Sequence, residues 1–394
     1  MTALSLSDLE PNGGLLRNGH SGTTSFSILS TYPPTPCGLA TFSASLADAL
    51  CANGSDVTVV RVADGFRSAD ARVIAELTNG SVASVAATSD LLNESDIAVV
   101  QHEYGIYGGV DGSEVVDIIA ALQVPVIVVA HTVLKDPTPN QRWVLESIAA
   151  MAAQVVVMSD AARQRLCLGF TVDPGKVSTI AHGATVPRHI TPPARSDRPT
   201  LLTWGLLGPG KGIERVIEAM GALRGLPVRP RYLIAGRTHP KVLAADGEAY
   251  RDARAEQARL GGLSDSVSFD ASYRDGSSLT ELVQSSAVVV LPYDSTDQVT
   301  SGVLVDAIAS GRPVVATAFP HAVELLASGA GMVVGHDDPD ALVAALLRLL
   351  TEPELAAEMA AEAARLAPLM AWPIVATAYR DLAHQLLGKS PALV

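Results

Sequence analysis

The sequence has few aromatic residues, few cysteines and a shortage of positive charge. Phe, Trp and Tyr make up 4% of its 394 residues, so Ala, Val and Leu must fill the cores that a hydrophobic content of 48% allows. Cys37, Cys51 and Cys167 show no paired metal spacing, which favours reduced thiols in a cytosolic protein. A net charge of −13 argues against nucleic acid as the main partner, because phosphate backbones attract basic surfaces.

Long hydrophobic runs are also missing. No apolar run approaches the ~20 residues that a membrane helix requires, and Val124–Ala130, among the longest, has the length of a strand. Residues 1–24 are polar and rich in Gly, Asn and Ser, without the basic start and apolar segment of a secretory signal. We therefore expect a flexible tail and a cytoplasmic protein with no integral membrane segment.

Short β-branched runs alternate with Ala/Leu-rich segments of helical length. Several runs are continuously apolar, which is typical of parallel strands buried on both faces. In the first half the predicted strands are Ser25–Ser30, Asp56–Arg61, Ile97–Gln101, Val124–Ala130 and Val155–Met158, and the predicted helices are Leu39–Ala52, Gly112–Ala121 and Pro139–Ala152. This alternation predicts a doubly wound parallel sheet.

The proline-rich stretch Pro187–Pro199 predicts a linker, after which the same pattern restarts. In the second half the predicted strands are Leu201–Trp204, Arg231–Ala235, Val267–Phe269, Ala287–Leu291, Pro313–Ala316 and Gly331–Val334, and the predicted helices are Ile213–Leu223, Gly247–Leu260, Ser278–Ser285, Gly302–Ala309 and Pro339–Leu350. The chain is therefore predicted to be an α/β protein of two Rossmann-like domains with parallel sheets, at residues 25–188 and 197–370. A helical segment follows, with a break at Trp372-Pro373.

Polar residues follow the strands of the first half, where ligands of open parallel sheets bind. Gly38 opens a helix whose free N–H groups suit an anion, although a plain tight turn explains one glycine equally well. His102, Glu103 and Tyr104 form a polar and aromatic cluster that suits a sugar surface, with a solvated His–Glu pair as the alternative. On the residues alone, His131 is more simply a buried core histidine than a ligand.

In the second half, Lys211 stands among glycines at a predicted helix N-terminus, an arrangement suited to a diphosphate. This loop is not a phosphate-binding Walker A loop, because Gly212 follows the lysine where a hydroxyl residue is required. The polar stretch from Gln298 leads through Ser301-Gly302 into a further helix that carries Asp306. A helix N-terminus suits a phosphate or sugar hydroxyl, and a carboxylate one turn inside can accept hydrogen bonds from a ribose diol.

The block from Gln298 to Thr317, QVTSGVLVDAIASGRPVVAT, resembles the E-x7-E motif of the family four retaining glycosyltransferases of GT-B fold (glycosyltransferase group 1). Gln298 and Asp306 stand where that family usually has two Glu. The resemblance covers about Ser25 to Gly388 and implies a cleft between the two domains, with the last helix, residues 373–388, crossing back onto the first domain.

The resemblance also implies roles for the marked residues. Catalytic roles fall to His131, Lys211 and Gln298, donor binding to Gly38, Arg237, Ser301, Gly302 and Asp306, and acceptor binding to His102, Glu103 and Tyr104. The family has an Arg where this chain has Leu206, and we hypothesise that Arg237 replaces that cation and matters to donor affinity as much as Lys211 does. No metal and no cofactor are expected; the donor is a nucleotide sugar of the GDP-mannose or UDP-glucose type.

The predicted activity is therefore metal-independent, retaining transfer of a hexose from a nucleotide sugar to a soluble sugar or small-molecule acceptor. Two alternatives stay open: a nucleotide-sugar-binding protein with reduced catalysis, favoured by Gln298 and Leu206, and a GT-B-like sugar-nucleotide epimerase. A glycan phosphorylase fits a chain of this length poorly. The only D-x-D sequence, Asp338-Pro339-Asp340, is interpreted as a helix cap rather than a metal site.

Overall fold

The computed structural model describes residues 23–190, 198–272, 274 and 276–389. Most of the predicted flexible tail, up to residue 22, and residues 191–197 of the predicted linker lie outside the described residues. None of the described helices combines the length and the apolarity needed to cross a membrane.

The first domain is built on a parallel sheet that, within the described residues, has seven strands in the order β3-β2-β1-β4-β5-β6-β7. The strands are β1 (Ser25–Ser30), β2 (Asp56–Val62), β3 (Val73–Leu77), β4 (Ile97–His102), β5 (Val126–Ala130), β6 (Gln154–Val157) and β7 (Val177–Thr179). The connecting helices are α1 (Gly38–Ala52), α2 (Val82–Leu92), α3 (Glu114–Ala120), α4 (Pro139–Met151) and α5 (Asp160–Gly169). Separate hydrophobic clusters cover the two faces of this sheet.

The second domain repeats this design with six parallel strands, in the order β10-β9-β8-β11-β12-β13 among the described residues. Its strands are β8 (Thr200–Trp204), β9 (Arg231–Ala235), β10 (Val267–Asp270), β11 (Val288–Leu291), β12 (Val314–Thr317) and β13 (Gly331–Val334). Its helices are α6 (Ile213–Ala222), α7 (Pro240–Asp246), α8 (Ala249–Leu260), α9 (Gly276–Ser285), α10 (Gly302–Ala309), α11 (Pro320–Leu326) and α12 (Pro339–Thr351). The predicted α/β class with two Rossmann-like parallel sheets is confirmed.

Two helices end the described chain, α13 (Pro353–Leu366) and α14 (Trp372–Lys389), separated by a short 3₁₀ turn. α13 packs on the second domain, where Ala363 and Leu366 join the core. α14 begins at Trp372 and returns to the first domain, where Val375 and Tyr379 are buried in the cluster that α1 shares with the sheet. The proline at position 373 is tolerated because a first helical turn needs no N–H partner there.

Several elements differ from the sequence-based prediction. The edge strands β3 and β7 and the helices α2, α5, α7 and α11 were not predicted. The helix expected at Gly247–Leu260 begins at Ala249, because Gly247 ends α7 with a φ of 62°. The edge strands are short, and β3 alternates between exposed and covered residues, so neither shows the continuous apolar run of a central strand.

Candidate functional site

A cavity of about 510 Å³ lies between the two domains, at the carboxyl edges of both sheets. Both sheets reverse their strand order at this place, since β1 lies beside β4 and β8 lies beside β11. Such switch points are where open parallel sheets bind ligands. Five of the residues that the sequence marked line this one cavity: Gly38, His131, Lys211, Gly302 and Asp306.

Gly38 begins α1 and lines the cavity, and hydrogen bonds fix the loop that leads to it. The thiol of Cys37 caps the helix by accepting a backbone N–H of the first turn at 3.4 Å. Arg61, which is 0% exposed at the end of β2, donates to the carbonyl of Tyr32 at 3.0 Å and to Thr35 Oγ1 at 2.9 Å. The loop that delivers Gly38 is therefore tied to a buried cation that sequence reasoning had treated as an ordinary strand residue.

Lys211 supplies the positive charge of the cavity. Its Nζ lies 4.5 Å from the ring centroid of Tyr293, and burial lowers the pKa of the ammonium. Among the described residues no carboxylate forms an ion pair with it. The neighbouring Gly212 has a φ of 63°, and a Cβ there would lie 1.7 Å from the carbonyl oxygen of Pro292. Only glycine allows this close approach, which fixes the lysine against the loop after β11.

Helix α10 forms another part of the cavity wall that the second domain supplies. The hydroxyl of Ser301 caps it by accepting from Leu304 N at 3.3 Å, while the backbone N–H of Ser301 donates to His321 Nδ1 at 2.8 Å. Ser301 is buried and therefore acts through the helix end rather than by touching a ligand. Asp306, one turn further, faces the cavity, and burial raises the pKa of its carboxyl to about 7.

His131 is a neutral member of the first-domain wall. Its Nε2 lies 2.6 Å from Oε1 of the buried Gln101, and its ring stands edge-on to Phe42 with centroids 4.9 Å apart. Burial, with His182 and His102 nearby, lowers the pKa of the imidazole to about 3. Because the amide oxygen only accepts, His131 carries its proton on Nε2 and leaves Nδ1 as an acceptor.

The predicted acceptor cluster is only partly at the surface. His102 is the last residue of β4, pairs in register with Ala130 and is 1% exposed, so it presents no surface to an acceptor and we remove it from the proposed site. Glu103 is half-buried and accepts from Thr132 Oγ1 at 2.5 Å rather than pairing with His102. Tyr104 packs edge-on to His102, and its hydroxyl has no partner among the described residues.

Gln298 does not line the cavity that holds Asp306. It lines a smaller cavity of about 300 Å³ whose other wall is the His131–Leu134 loop, and its Nε2 donates to Thr300 O at 3.1 Å. His131 lines both cavities and therefore joins them. The spacing of Gln298 and Asp306 along the chain did not reveal this division, because the two residues stand on opposite sides of a helix start.

Arg237 is exposed and lines an adjoining cavity of about 240 Å³, together with Gly38, Leu206 and Arg274. The sequence-based prediction missed Arg274, which pairs with Asp270 from the same loop. Arg237 thus lies beside the position where the expected family cation is replaced by Leu206. Both arginines line this adjoining cavity rather than the main one, and the charge of Arg274 is balanced by Asp270.

Two further histidines complete the interdomain region. His182, which the sequence alone did not place at the site, lines the main cavity with its ring centroid 5.0 Å from that of Phe42. A Cβ on Gly302 would lie 2.9 Å from His182 Nε2, so glycine at the start of α10 lets the two domains meet here. Burial lowers the pKa of His182 to about 4, and that of His321 behind it to about 4.

The described residues contain no group of three or more His, Cys, Asp or Glu side chains arranged to hold a metal ion. Asp338 accepts from Ala341 N at 2.8 Å and caps α12, as its sequence context predicted. Lys211 and the N-termini of α1 and α10 supply positive charge to the described part of the main cavity, and Arg237 lines the cavity beside it.

Comparison with known proteins decides the family. A model of glycosyl transferases group 1 matches residues 198–352, and a model of glycosyltransferase family 4 matches residues 36–186. The chain belongs to the group 1 glycosyltransferases. It is a glycosyltransferase by the two family domains that cover most of its length, and the resemblance that the Gln298–Thr317 block carried is confirmed.

Solved structures share the fold of this glycosyltransferase at low sequence identity. A glycosyltransferase from Rickettsia africae is 15% identical and superposes with a TM-score of 0.75 over 93% of this chain and all of its own. Sucrose-phosphate synthase from Thermosynechococcus elongatus is 18% identical, with a TM-score of 0.75 over 93% of this chain and 100% of that one. Anabaena HepE, solved with UDP and glucose, is 15% identical, with a TM-score of 0.73 over 91% and 99% of the two chains. A search of curated protein sequences found no significant match.

Proposed function

We propose that this glycosyltransferase moves a hexose from a nucleotide sugar to a soluble carbohydrate or small-molecule acceptor, with retention of anomeric configuration and without a metal. The observation that carries the proposal is Lys211, a desolvated cation that faces the cavity and has no carboxylate partner among the described residues. A buried charge without a counter-ion is costly unless a ligand supplies one. A sugar diphosphate supplies two negative groups.

The rest of the donor is assigned by proximity to Lys211. The N-terminus of α1 at Gly38 and that of α10 at Gly302 both open into the same cavity and add partial positive charge at the diphosphate. Asp306 accepts the ribose hydroxyls, and the cavity of about 300 Å³ beside His131 takes the hexose. HepE, which shares the fold, has been solved with UDP-glucose and with UDP, which supports a uridine or similar nucleotide as the probe to try first.

The same arrangement supports transfer to the same face of the sugar. Asp306 is the only carboxylate among the described residues that line the main cavity, and its place on the ribose leaves it unavailable as a covalent nucleophile. The bond between the anomeric carbon and the phosphate oxygen breaks as the acceptor oxygen bonds to that carbon from the same side, and the hydroxyl proton passes to the departing phosphate oxygen. Lys211 and the helix ends stabilise the leaving diphosphate. Glu103, held by Thr132 beside His131, stands at the acceptor side of this arrangement.

Gln298 favours a second candidate function, a nucleotide-sugar-binding protein with reduced catalysis. Its amide donates to Thr300 O and provides no charge to the hexose cavity. This candidate binds the same donor but does not release nucleoside diphosphate in the presence of acceptors.

The test is to incubate the protein with UDP-glucose or GDP-mannose, a panel of soluble sugars and sugar phosphates, and either EDTA or Mg²⁺. The proposal predicts acceptor-dependent release of nucleoside diphosphate, equal rates in EDTA, and a product whose anomeric coupling in proton NMR equals that of the donor. Binding without release supports the second candidate. Inversion of the anomeric signal contradicts the retaining mechanism, and loss of activity in EDTA contradicts metal independence.

A further inference from the structure

Helix α5 belongs to the first domain, yet it is fastened to the second. The hydroxyl of Ser159, at its N-terminus, donates to Val299 O at 2.5 Å. The carboxylate of Glu324, on α11 of the second domain, accepts from the backbone N–H groups of Asp160 and Ala161 at 2.9 and 2.8 Å. A carboxylate at a helix N-terminus is favourable both as a hydrogen-bond acceptor and as a charge facing the helix dipole.

Arg165, one and a half turns along α5, contacts both walls of the cavity of about 300 Å³. Its Nη1 donates to Val133 O at 3.0 Å and to Asp297 O at 2.5 Å. Val133 lies in the wall that carries His131, and Asp297 immediately precedes Gln298 in the opposite wall. One guanidinium nitrogen therefore joins the two walls of the 300 Å³ cavity, although Arg165 itself does not line it.

These two walls are loops from different domains, after β5 and after β11. Loops without strand pairing hold their shape only through such cross-links. A guanidinium suits this position because it is always charged, is planar and carries several donors in a fixed geometry. A shift of either wall would move His131 and Gln298 apart and open the cavity to water.

We propose that Arg165 is a positioning residue that sets the separation of the His131 wall and the Gln298 wall, and thereby the fit of the transferred hexose. This inference rests on the proposed function, because it takes the 300 Å³ cavity as the hexose site. It separates the roles of the cleft residues: Lys211 and Asp306 hold the nucleotide diphosphate, whereas Arg165 acts only on the sugar part.

The test compares Arg165→Met with Arg163→Met, since Arg163 lies on the same helix and donates at 3.3 Å to Val177 O inside the first domain. Titration calorimetry compares the affinity for UDP with that for UDP-glucose, and the affinity for GDP with that for GDP-mannose. We expect Arg165→Met to weaken binding of the sugar nucleotide about tenfold or more, because the two hydrogen bonds of a charged group are lost. Its affinity for the nucleoside diphosphate stays within about twofold, because Arg165 does not line the main cavity and its hydrogen bonds go to Val133 O and Asp297 O rather than to Lys211 or Asp306. Arg163→Met should change neither the affinity for the sugar nucleotide nor that for the nucleoside diphosphate.

A merely structural role for Arg165 gives a different result. Equal weakening of both ligands, or an Arg165→Met variant that binds like Arg163→Met, overturns the inference. If Arg165→Met does not fold, Arg165→Lys decides, because it keeps a cation and one donor; a partial loss for the sugar nucleotide alone supports the inference, and unchanged binding of both ligands overturns it. A wild-type protein that binds none of the four nucleotides overturns the proposed function first, and the inference with it.

Discussion

The two walls of the cleft use opposite chemistry. The second domain presents charge: Lys211 inside the cavity, Arg237 and Arg274 at its rim, and Asp306 on α10. The side chains that the first domain presents to this cavity are neutral, because burial lowers the pKa of His131 to about 3 and that of His182 to about 4. A charged wall matches a nucleotide diphosphate, and a neutral wall of hydrogen-bonding side chains matches a sugar. On the proposed function, the two sheets divide donor recognition by the residues at their strand ends.

The largest expected effect comes from removing the charge of the second-domain wall. Lys211→Met should weaken binding of a nucleoside diphosphate by about 30-fold or more, equivalent to about 2 kcal/mol, because a desolvated charge pair is lost. Titration calorimetry measures this. The control is Arg215→Met, since Arg215 is on the helix that Lys211 precedes but is paired with Asp294 at 2.9 Å. Equal affinity for the nucleoside diphosphate in wild type and Lys211→Met would contradict the claim that the charge of the second-domain wall binds the diphosphate.

On the neutral wall, His131→Phe keeps a ring against Phe42 and removes the hydrogen-bonding nitrogens. Turnover should fall about tenfold to a hundredfold, because the Gln101 amide loses its partner and the sugar loses an acceptor. Diphosphate binding should stay unchanged. His384→Phe, at a surface histidine on α14 that contacts Thr24, is the control. A loss of diphosphate affinity as large as that of Lys211→Met would show that both walls hold the anion.

Asp306 makes the charged wall sensitive to pH. Burial raises the pKa of its carboxyl to about 7, so the carboxylate that we propose accepts the ribose hydroxyls is lost as the pH falls through 7. Donor affinity should drop about tenfold for each pH unit below that value. Calorimetry at pH 8 and pH 6 measures the drop. Asp306→Asn should abolish the pH dependence, whereas Asp340→Asn, on the exposed first turn of α12, should keep it.

The raised pKa of Asp306 also affects the free energy of unfolding. Donor affinity should fall as the pH falls, whereas this contribution to stability falls as the pH rises. The folded protein holds the Asp306 proton more tightly than the unfolded chain, whose carboxyl has the ordinary value of 3.8. The stability contribution of this group is therefore fully present below that value and declines as the pH rises towards 7. Thermal unfolding at pH 5 and pH 8 should show a smaller decline in Asp306→Asn than in the wild type. An identical decline in both would show that Asp306 is not the titrating group.

The smallest expected effect tests the rim of the charged wall. Arg237 was expected from the sequence to matter as much as Lys211, but its exposure makes a weaker contribution of about 1 kcal/mol, or about fivefold in donor affinity, more reasonable. Salt should reduce this contribution further. Calorimetry of Arg237→Ala at low and at physiological ionic strength measures it. Unchanged affinity at low salt would refute the idea that Arg237 replaces the cation missing at Leu206.

Much of the fold follows from the sequence because buried parallel strands are continuous apolar runs. β1, β9 and β13 begin and end at the predicted residues. The short edge strand β7 and the seven-residue helix α11 were missed because their sequences are too brief to show a period. The rule that ligands bind at strand carboxyl ends marked Gly38, His131 and Lys211 as site residues, and all three line one cavity.

Other parts of the site could not be predicted. His102 is buried because β4 extends one residue beyond the predicted strand, and the side chain at the last strand position then points inward. The role of Arg61 beneath the Gly38 loop depends on a cross-strand arrangement that no local pattern records. The contacts of α5 with the second domain join residues 140 positions apart, as between Ser159 and Val299.

The most direct test of the account is an affinity series of nucleoside, nucleoside monophosphate and nucleoside diphosphate, for uridine and for guanosine, with wild type and Lys211→Met. The account predicts that each added phosphate strengthens binding to the wild type and that the diphosphate gain collapses in the variant. A diphosphate that binds no better than its nucleoside, or a gain that survives in Lys211→Met, would contradict the claim that this cleft holds the anionic part of a sugar donor chiefly on the half-buried Lys211.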